Sequence, residues 1–128
     1  MKVLIDTHTF LWWNTEDPQL SALVKEITAD GRNDIFLSAA SVWEIAIKTA
    51  KGRLILPESP AQYVASRMSL YRFYALPIQI SHAAHTYELP PYHHDPFDRM
   101  LIAQSHLESL PLLTKDDNIR RYDVQTIW

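Results

Sequence analysis

The sequence predicts an α/β fold in which a mainly parallel central sheet is flanked by helices. Its short apolar runs are continuous rather than alternating, which is typical of strands buried on both faces. Stretches with apolar residues at helical spacing separate these runs, and such strand–helix alternation favours a parallel sheet. The chain has 128 residues, of which 47% are hydrophobic and 21% are charged. Because this size and composition fit one globular core, we expect residues 1–128 to form a single domain.

Five strands are expected from the apolar runs. The first run, Lys2 to Ile5, ends directly at an acid, Asp6. Pro77 interrupts the third run, and the last run is the weakest because polar residues break it. The predicted strands cover residues 2–5, 35–37, 74–80, 112–114 and 124–128.

Five helices are expected between the strands. The clearest begins at Pro96, because proline is tolerated in a first helical turn and Asp95 stands where a helix N-cap would. Apolar residues recur in it at intervals of three and four, at Phe97, Met100, Leu101, Ala103 and Leu107. The predicted helices cover residues 18–29, 42–50, 60–71, 81–89 and 96–107.

Composition excludes several classes of protein and of site. With 2 glycines the chain cannot build a glycine-rich phosphate loop, and without cysteine it has neither disulfides nor thiolate metal ligands. The formal net charge of −3 does not indicate a globally basic nucleic-acid binder. No segment resembles a signal peptide or approaches the roughly 18–20 apolar residues of a membrane span. We therefore expect a cytoplasmic protein that does not contact a membrane.

Four acids are expected at one edge of the sheet. Asp6 and Asp116 follow predicted strands, and Glu44 and Asp98 lie near the starts of predicted helices. In open parallel sheets, binding sites form at the carboxyl ends of the strands. Two carboxylates about 4 Å apart repel each other by roughly 4 kcal/mol at an effective dielectric constant of 20. Mg²⁺ or Mn²⁺ would relieve that repulsion, because hard divalent cations prefer oxygen ligands.

Each acid also has a purely structural interpretation. Ser41 and Glu44 have the spacing of a capping box, in which the serine is the helix N-cap and the glutamate is its third residue. Asp95 and Asp98 have the same spacing at the next helix start. Asp116 could simply begin a turn. We assign the cap of this last helix to Asp95 and the site role to Asp98.

Four motifs contain these acids and follow one another over most of the chain. They read Leu4-Ile5-Asp6-Thr7-His8, Ser41-Val42-Trp43-Glu44-Ile45, Asp95-Pro96-Phe97-Asp98-Arg99-Met100-Leu101-Ile102-Ala103 and Leu113-Thr114-Lys115-Asp116. In this order they resemble the PIN domain family, and closely the VapC-type toxins of type II toxin–antitoxin systems. Asp117 follows Asp116 directly, so spacing alone leaves open which of the two faces the metal. We choose Asp116, because it completes the Thr-x-Asp pattern.

The resemblance implies an endoribonuclease that depends on Mg²⁺ or Mn²⁺. It implies that Asp6, Glu44, Asp98 and Asp116 hold the ion and carry catalysis. It also implies an RNA substrate, a cognate antitoxin that inhibits the enzyme, and a homodimer, for which the surface around Trp12, Trp13 or helix 60–71 could serve. The alternative is a catalytically idle PIN-like module that binds RNA or protein. A phosphoacceptor receiver domain fits poorly, because only one acid follows the first strand.

The remaining polar residues carry weaker signals. His93 and His94 stand beside Asp95, but adjacent imidazoles chelate one ion poorly, so we favour a loop over a zinc site. His8 could assist the acids or be buried and hydrogen-bonded. Arg99 and Lys115 adjoin two of the acids, where they could meet RNA phosphates.

Overall fold

The computed structural model describes residues 1–128 and contains one five-stranded sheet. All neighbouring strands are parallel, in the order β3-β2-β1-β4-β5. The strands are β1 Lys2–Ile5, β2 Asp34–Ser38, β3 Tyr74–Leu76, β4 Leu112–Leu113 and β5 Thr126–Ile127. The chain builds outward from β1 on one side and then continues through β4 on the other. The strand order therefore reverses between β1 and β4, where a parallel sheet opens a crevice at the carboxyl ends of its strands.

Six α-helices and two short 3₁₀ turns surround the sheet, which confirms the predicted α/β fold. The 3₁₀ turns cover Thr86–Glu88 and Ile119–Arg121. None of the helices combines the length and the apolar character that crossing a membrane requires. The helices are α1 Thr7–Thr15, α2 Ala22–Ala29, α3 Ala39–Ala50, α4 Pro60–Tyr71, α5 Ile80–His85 and α6 Pro96–Glu108.

The core has two parts, one on each face of the sheet. In β1, Val3 and Ile5 belong to the first part and Leu4 belongs to the second, and all three are fully buried. The first part contains buried residues of α1, α2, α3 and α4, and the second contains those of α6. Burial on both faces explains why the strand reads as an uninterrupted apolar run.

Helix α1 is absent from the expected elements. Its apolar residues are consecutive, from Phe10 to Trp13, so no interval of three or four marks a helical face. The helix begins because the Asp6 carboxylate accepts a hydrogen bond from the backbone N–H of Thr9 at 2.8 Å. Such a cap satisfies an otherwise unpaired amide of the first turn.

The predicted start of helix α3 is wrong. Its N-cap is Ser38, whose hydroxyl accepts a hydrogen bond from the backbone N–H of Ala40 at 3.0 Å. Ser41 lies inside the helix and accepts a hydrogen bond from the Thr7 hydroxyl at 2.9 Å. The expected capping box between Ser41 and Glu44 therefore does not form. Glu44 lies in the second helical turn, where it has no capping role.

Other element boundaries differ from the prediction by a few residues. Helix α2 starts at Ala22 rather than Pro18, because the Ser21 hydroxyl accepts from the backbone N–H of Val24 at 3.1 Å. Strand β3 ends at Leu76, because Pro77 has no N–H for the ladder. The single helix predicted over 81–89 is shorter, and the 3₁₀ turn continues it. The strands predicted over 112–114 and 124–128 are shorter, at Leu112–Leu113 and Thr126–Ile127.

Candidate active site

Asp6 is fixed at the carboxyl end of β1, the central strand. Its side chain caps α1, and the Thr114 hydroxyl, just beyond the neighbouring strand β4, is near enough to favour the charged carboxylate. The residue is 4% exposed. Burial raises the pKa of the Asp6 carboxyl above its usual range, although the Thr114 hydroxyl and the hydrogen bond from Thr9 oppose that rise. Asp6 is thus a rigid carboxylate at the edge where the strand order reverses.

Asp116 lies beside Asp6, in the turn that follows β4. The Thr114 hydroxyl accepts from the Asp116 N–H at 3.1 Å, and Asp116 Oδ1 accepts from the N–H of Asn118 at 2.8 Å. Asp116 is half-buried, whereas Asp117 is exposed. A cavity of about 290 Å³ opens here. It is lined by Asp6, His8, Trp12, Lys115, Asp116, Asp117 and Asn118.

Glu44 approaches the site from helix α3. The hydrogen bond between Thr7 and Ser41 joins the start of α1 to α3, and Glu44 follows Ser41 by about one helical turn. Glu44 is 3% exposed. Its Oε2 accepts from Lys48 Nζ at 2.6 Å, in an ion pair along the same helix. A buried carboxylate with one cationic partner is therefore held next to the end of β1.

Asp98 enters from the first turn of helix α6. The helix cap is Asp95, whose Oδ1 accepts from the N–H of Asp98 at 2.9 Å, as the sequence predicts. Burial and, after it, the charges of the neighbouring acids together raise the pKa of Asp98 to about 8. The contributing acids, largest first, are Asp95, Asp116, Glu44 and Asp6. Asp6, Glu44 and Asp116 therefore all lie close enough to Asp98 to act on it electrostatically.

His93 is the site residue that sequence reasoning missed. Its Nε2 lies 3.0 Å from Asp98 Oδ2, and its Nδ1 lies 2.7 Å from the Tyr122 hydroxyl. The expected loop is present at this position, and His94 in the same loop is exposed. A loop residue has no periodicity that could have marked it. The one available signal was its spacing of five residues before Asp98.

Two of the basic residues near the acids are engaged within the chain. Arg99 donates to backbone carbonyls and to the Tyr122 hydroxyl, so the suggestion that it meets RNA phosphates is not supported by its contacts. Lys115 lies on the cavity wall, with its Nζ 5.1 Å from the centre of the Trp12 ring and 3.1 Å from Gln19 Oε1. Lys115 is therefore the cation that lines the cavity.

The donor set suits a hard divalent cation in its chemistry. All four predicted acids offer oxygen ligands, and a cation would offset both causes that raise the pKa of Asp98, its burial and the charges of the neighbouring acids. As the side chains are oriented, no three aspartate, glutamate or histidine side chains are grouped so that they could hold one ion. Side-chain rotation would accordingly have to accompany the binding of an ion.

Comparison with curated proteins identifies one relative by name. Ribonuclease VapC16 of Mycobacterium tuberculosis (strain ATCC 25618 / H37Rv) is 46% identical to this chain over 61 residues. The matched segment covers 48% of this chain and 43% of VapC16, so the chain matches less than half the length of that relative.

Solved structures share the fold over nearly the whole chain. VapBC2 from Rickettsia felis, bound to a DNA fragment from its promoter, has a TM-score of 0.70 at 14% identity, with coverage of 100% of this chain and 98% of that one. FitAcB from Neisseria gonorrhoeae has a TM-score of 0.66 at 23% identity, with coverage of 100% and 97%. At these identities the likeness concerns the fold alone. The PIN domain model matches residues 3–125, and the chain therefore belongs to the PIN domain family.

Proposed function

We propose that this chain is a metal-dependent endoribonuclease that hydrolyses RNA phosphodiester bonds and acts as the toxin of a toxin–antitoxin pair. One observation carries the proposal: Asp6 and Asp116 line one cavity at the edge where the strand order reverses, and their charges act, with that of Glu44, on the partly buried Asp98. The name of VapC16, a ribonuclease, supports the choice of RNA as the substrate.

We infer that Asp6, Glu44, Asp98 and Asp116 hold Mg²⁺ or Mn²⁺. Bound there, the ion supplies a positive charge that attracts the phosphate and activates water for hydrolysis. Asp6 is held by the hydrogen bond that caps α1, and Glu44 has the longest side chain of the four. Glu44 is therefore the acid we expect to rotate, away from Lys48, when an ion binds. Lys115 on the cavity wall can contact a backbone phosphate of the RNA.

The partners are proposed on the same basis. We infer that a cognate antitoxin covers the site and that the chain forms a homodimer. Trp12 packs against Trp128 at 6.0 Å between ring centres and Trp13 against Tyr71 at 5.4 Å, and both tryptophans remain partly exposed. The surface around them and that of helix α4 stay the candidate dimer surfaces. Expression of the chain should arrest growth, and co-expression of a small neighbouring gene product should relieve the arrest. Light scattering on the purified chain measures the dimer directly.

The deciding test is RNA cleavage with controlled metal. We expect the purified chain to cleave a labelled single-stranded RNA in Mg²⁺ or Mn²⁺, and excess EDTA to stop the reaction, because the acids alone repel the phosphate. Asp6→Asn serves as the inactive control, since asparagine still caps a helix. Undiminished cleavage in excess chelator would rule out the metal mechanism. RNA binding without cleavage in either metal would favour the idle PIN-like module.

A further inference from the structure

We propose that His93 is a positioning residue for Asp98. Its Nε2–H fixes one oxygen of the Asp98 carboxylate, which would leave the other oxygen free to bind the ion that the site would hold. The inference rests on the proposed function, because it assigns a task at the same metal site. It adds a residue that lies outside the four acids and that reaches Asp98 from a different segment, the loop before α6.

The position of the imidazole hydrogen follows from the neighbouring groups. Arg99 can only donate hydrogen bonds, so the Tyr122 oxygen accepts from Arg99 Nη1 at 2.9 Å. The same oxygen accepts from the His93 backbone N–H at 3.3 Å. The Tyr122 hydroxyl hydrogen therefore points to His93 Nδ1 at 2.7 Å, in preference to the His93 carbonyl at 3.4 Å. With Nδ1 accepting, the hydrogen of a neutral imidazole lies on Nε2, which donates to Asp98 Oδ2 at 3.0 Å.

The groups behind His93 are themselves held in place. Arg99 donates to the carbonyls of Pro90, Leu89 and Thr86 at 2.8, 3.2 and 3.1 Å. Tyr122 is buried, and its ring meets the His93 ring edge-on with 5.4 Å between centres. Both ring nitrogens of His93 are thus engaged, one with Asp98 and one with Tyr122. Tyr122 in turn is bonded to Arg99, the residue next to Asp98. The imidazole has no freedom to rotate away from the carboxylate.

Asp98 needs such a partner because of its surroundings. Four other acids lie near enough to act on its charge, and the hydrogen bond of its carboxylate is made to His93 and not to a group of its own helix. An N–H donor on one oxygen would hold the carboxylate in place and leave its other oxygen for the metal. Partners that orient the ligands of a metal in this way typically change metal affinity or activity by about 10–100-fold when they are removed.

The test measures Mn²⁺ binding by titration calorimetry and by the electron paramagnetic resonance signal of free Mn²⁺. We expect His93→Ala to weaken binding about 10–100-fold. His93→Gln should restore binding close to the wild-type value, because the glutamine amide can supply an N–H near the position of Nε2. Tyr122→Phe should fall between the two, since the imidazole can then place its hydrogen on either nitrogen. The matched control is His94→Ala, which removes the exposed neighbouring imidazole and should leave binding unchanged.

Melting curves in EDTA establish that each variant is folded. A His93→Ala protein that binds Mn²⁺ as tightly as the wild type would overturn the positioning role. A His93→Gln protein as weak as His93→Ala would also overturn it, because the N–H donor would not be the group that matters. The wild-type protein distinguishes failure of the proposed function from failure of the role of His93. If the wild type binds no Mn²⁺ and cleaves no RNA, the proposed function itself fails. If it does both while His93→Ala binds normally, only the role of His93 fails.

Discussion

Asp98→Asn should lower the rate of RNA cleavage at least about 10²-fold, a loss typical of removing a key electrostatic group from an active site. Asp95→Asn, three residues earlier, should keep most of the activity. The two acids share one helix start, but Asp95 accepts the capping hydrogen bond, and asparagine caps a helix as well as aspartate does. Asp98 carries the charge that we assign to the metal. The measurement is kcat/KM for both variants at saturating Mg²⁺.

The neighbouring pair Asp116 and Asp117 provides the matched control. Asp117→Asn removes a charge at the same turn from an exposed side chain, and it should cost less activity than Asp116→Asn. An equal loss of kcat/KM in Asp95→Asn and Asp98→Asn would contradict the assignment of Asp95 as the helix cap and Asp98 as the metal ligand. A larger loss in Asp117→Asn than in Asp116→Asn would reverse the choice between those two acids.

In the absence of metal, Asp98→Asn should be more stable than the wild type, by a margin that grows as the pH rises. The pKa of Asp98 is raised from 3.8 to about 8 in the folded chain. Below pH 3.8 the carboxyl is protonated in both the folded and unfolded states, so it has no effect on their balance. Between these two values the unfolded chain releases its proton first, so the free energy of unfolding falls by up to about 1.4 kcal/mol per pH unit. Asparagine has no such proton to release.

Urea unfolding in EDTA at pH 5 and pH 8 checks this expectation. Added Mn²⁺ should stabilise the wild type by about 2.7 kcal/mol at 100 times its dissociation constant, and should stabilise Asp98→Asn much less. A pH-independent difference between the two proteins would mean that neither burial nor the neighbouring acids raise the pKa of Asp98 in the folded chain.

The fold was predictable because parallel strands carry a strong local signal. Val3, Leu4 and Ile5 are buried on alternating faces, so an uninterrupted apolar run is what such a strand requires. Helix α1 was not predictable in this way, because its apolar residues are consecutive, from Phe10 to Trp13, and no interval of three or four marks a helical face. The start of α3 was misplaced because Ser38 and Ser41 are both plausible caps in the sequence. Only the fold shows that Thr7 engages the hydroxyl of Ser41.

The location of the acids was predictable for a related reason. Asp6 and Asp116 follow neighbouring parallel strands, whose carboxyl ends meet at one edge by geometry. The role proposed for His93 was not predictable, because its partner Tyr122 lies 29 residues further along the chain. Contacts between a loop and a distant turn leave no periodic trace. The contact between His93 and Tyr122 also depends on Arg99, which holds the loop by hydrogen bonds to its carbonyls. In the sequence, Arg99 is recognisable only as a cation beside an acid.

Asp6 both caps helix α1 and is assigned to the metal, which matters for the design of an inactive variant. The same carboxylate that we assign to the metal also starts helix α1, so the choice of replacement decides what an inactivating substitution measures. Asp6→Ala removes the cap as well as the charge, and losing such a cap costs about 0.5–2 kcal/mol. Loss of activity in the Asp6→Ala protein could then reflect poor folding and be mistaken for loss of the metal site. Asp6→Asn keeps the helix start and is the better variant for producing the protein in quantity or for capturing its bound partners intact.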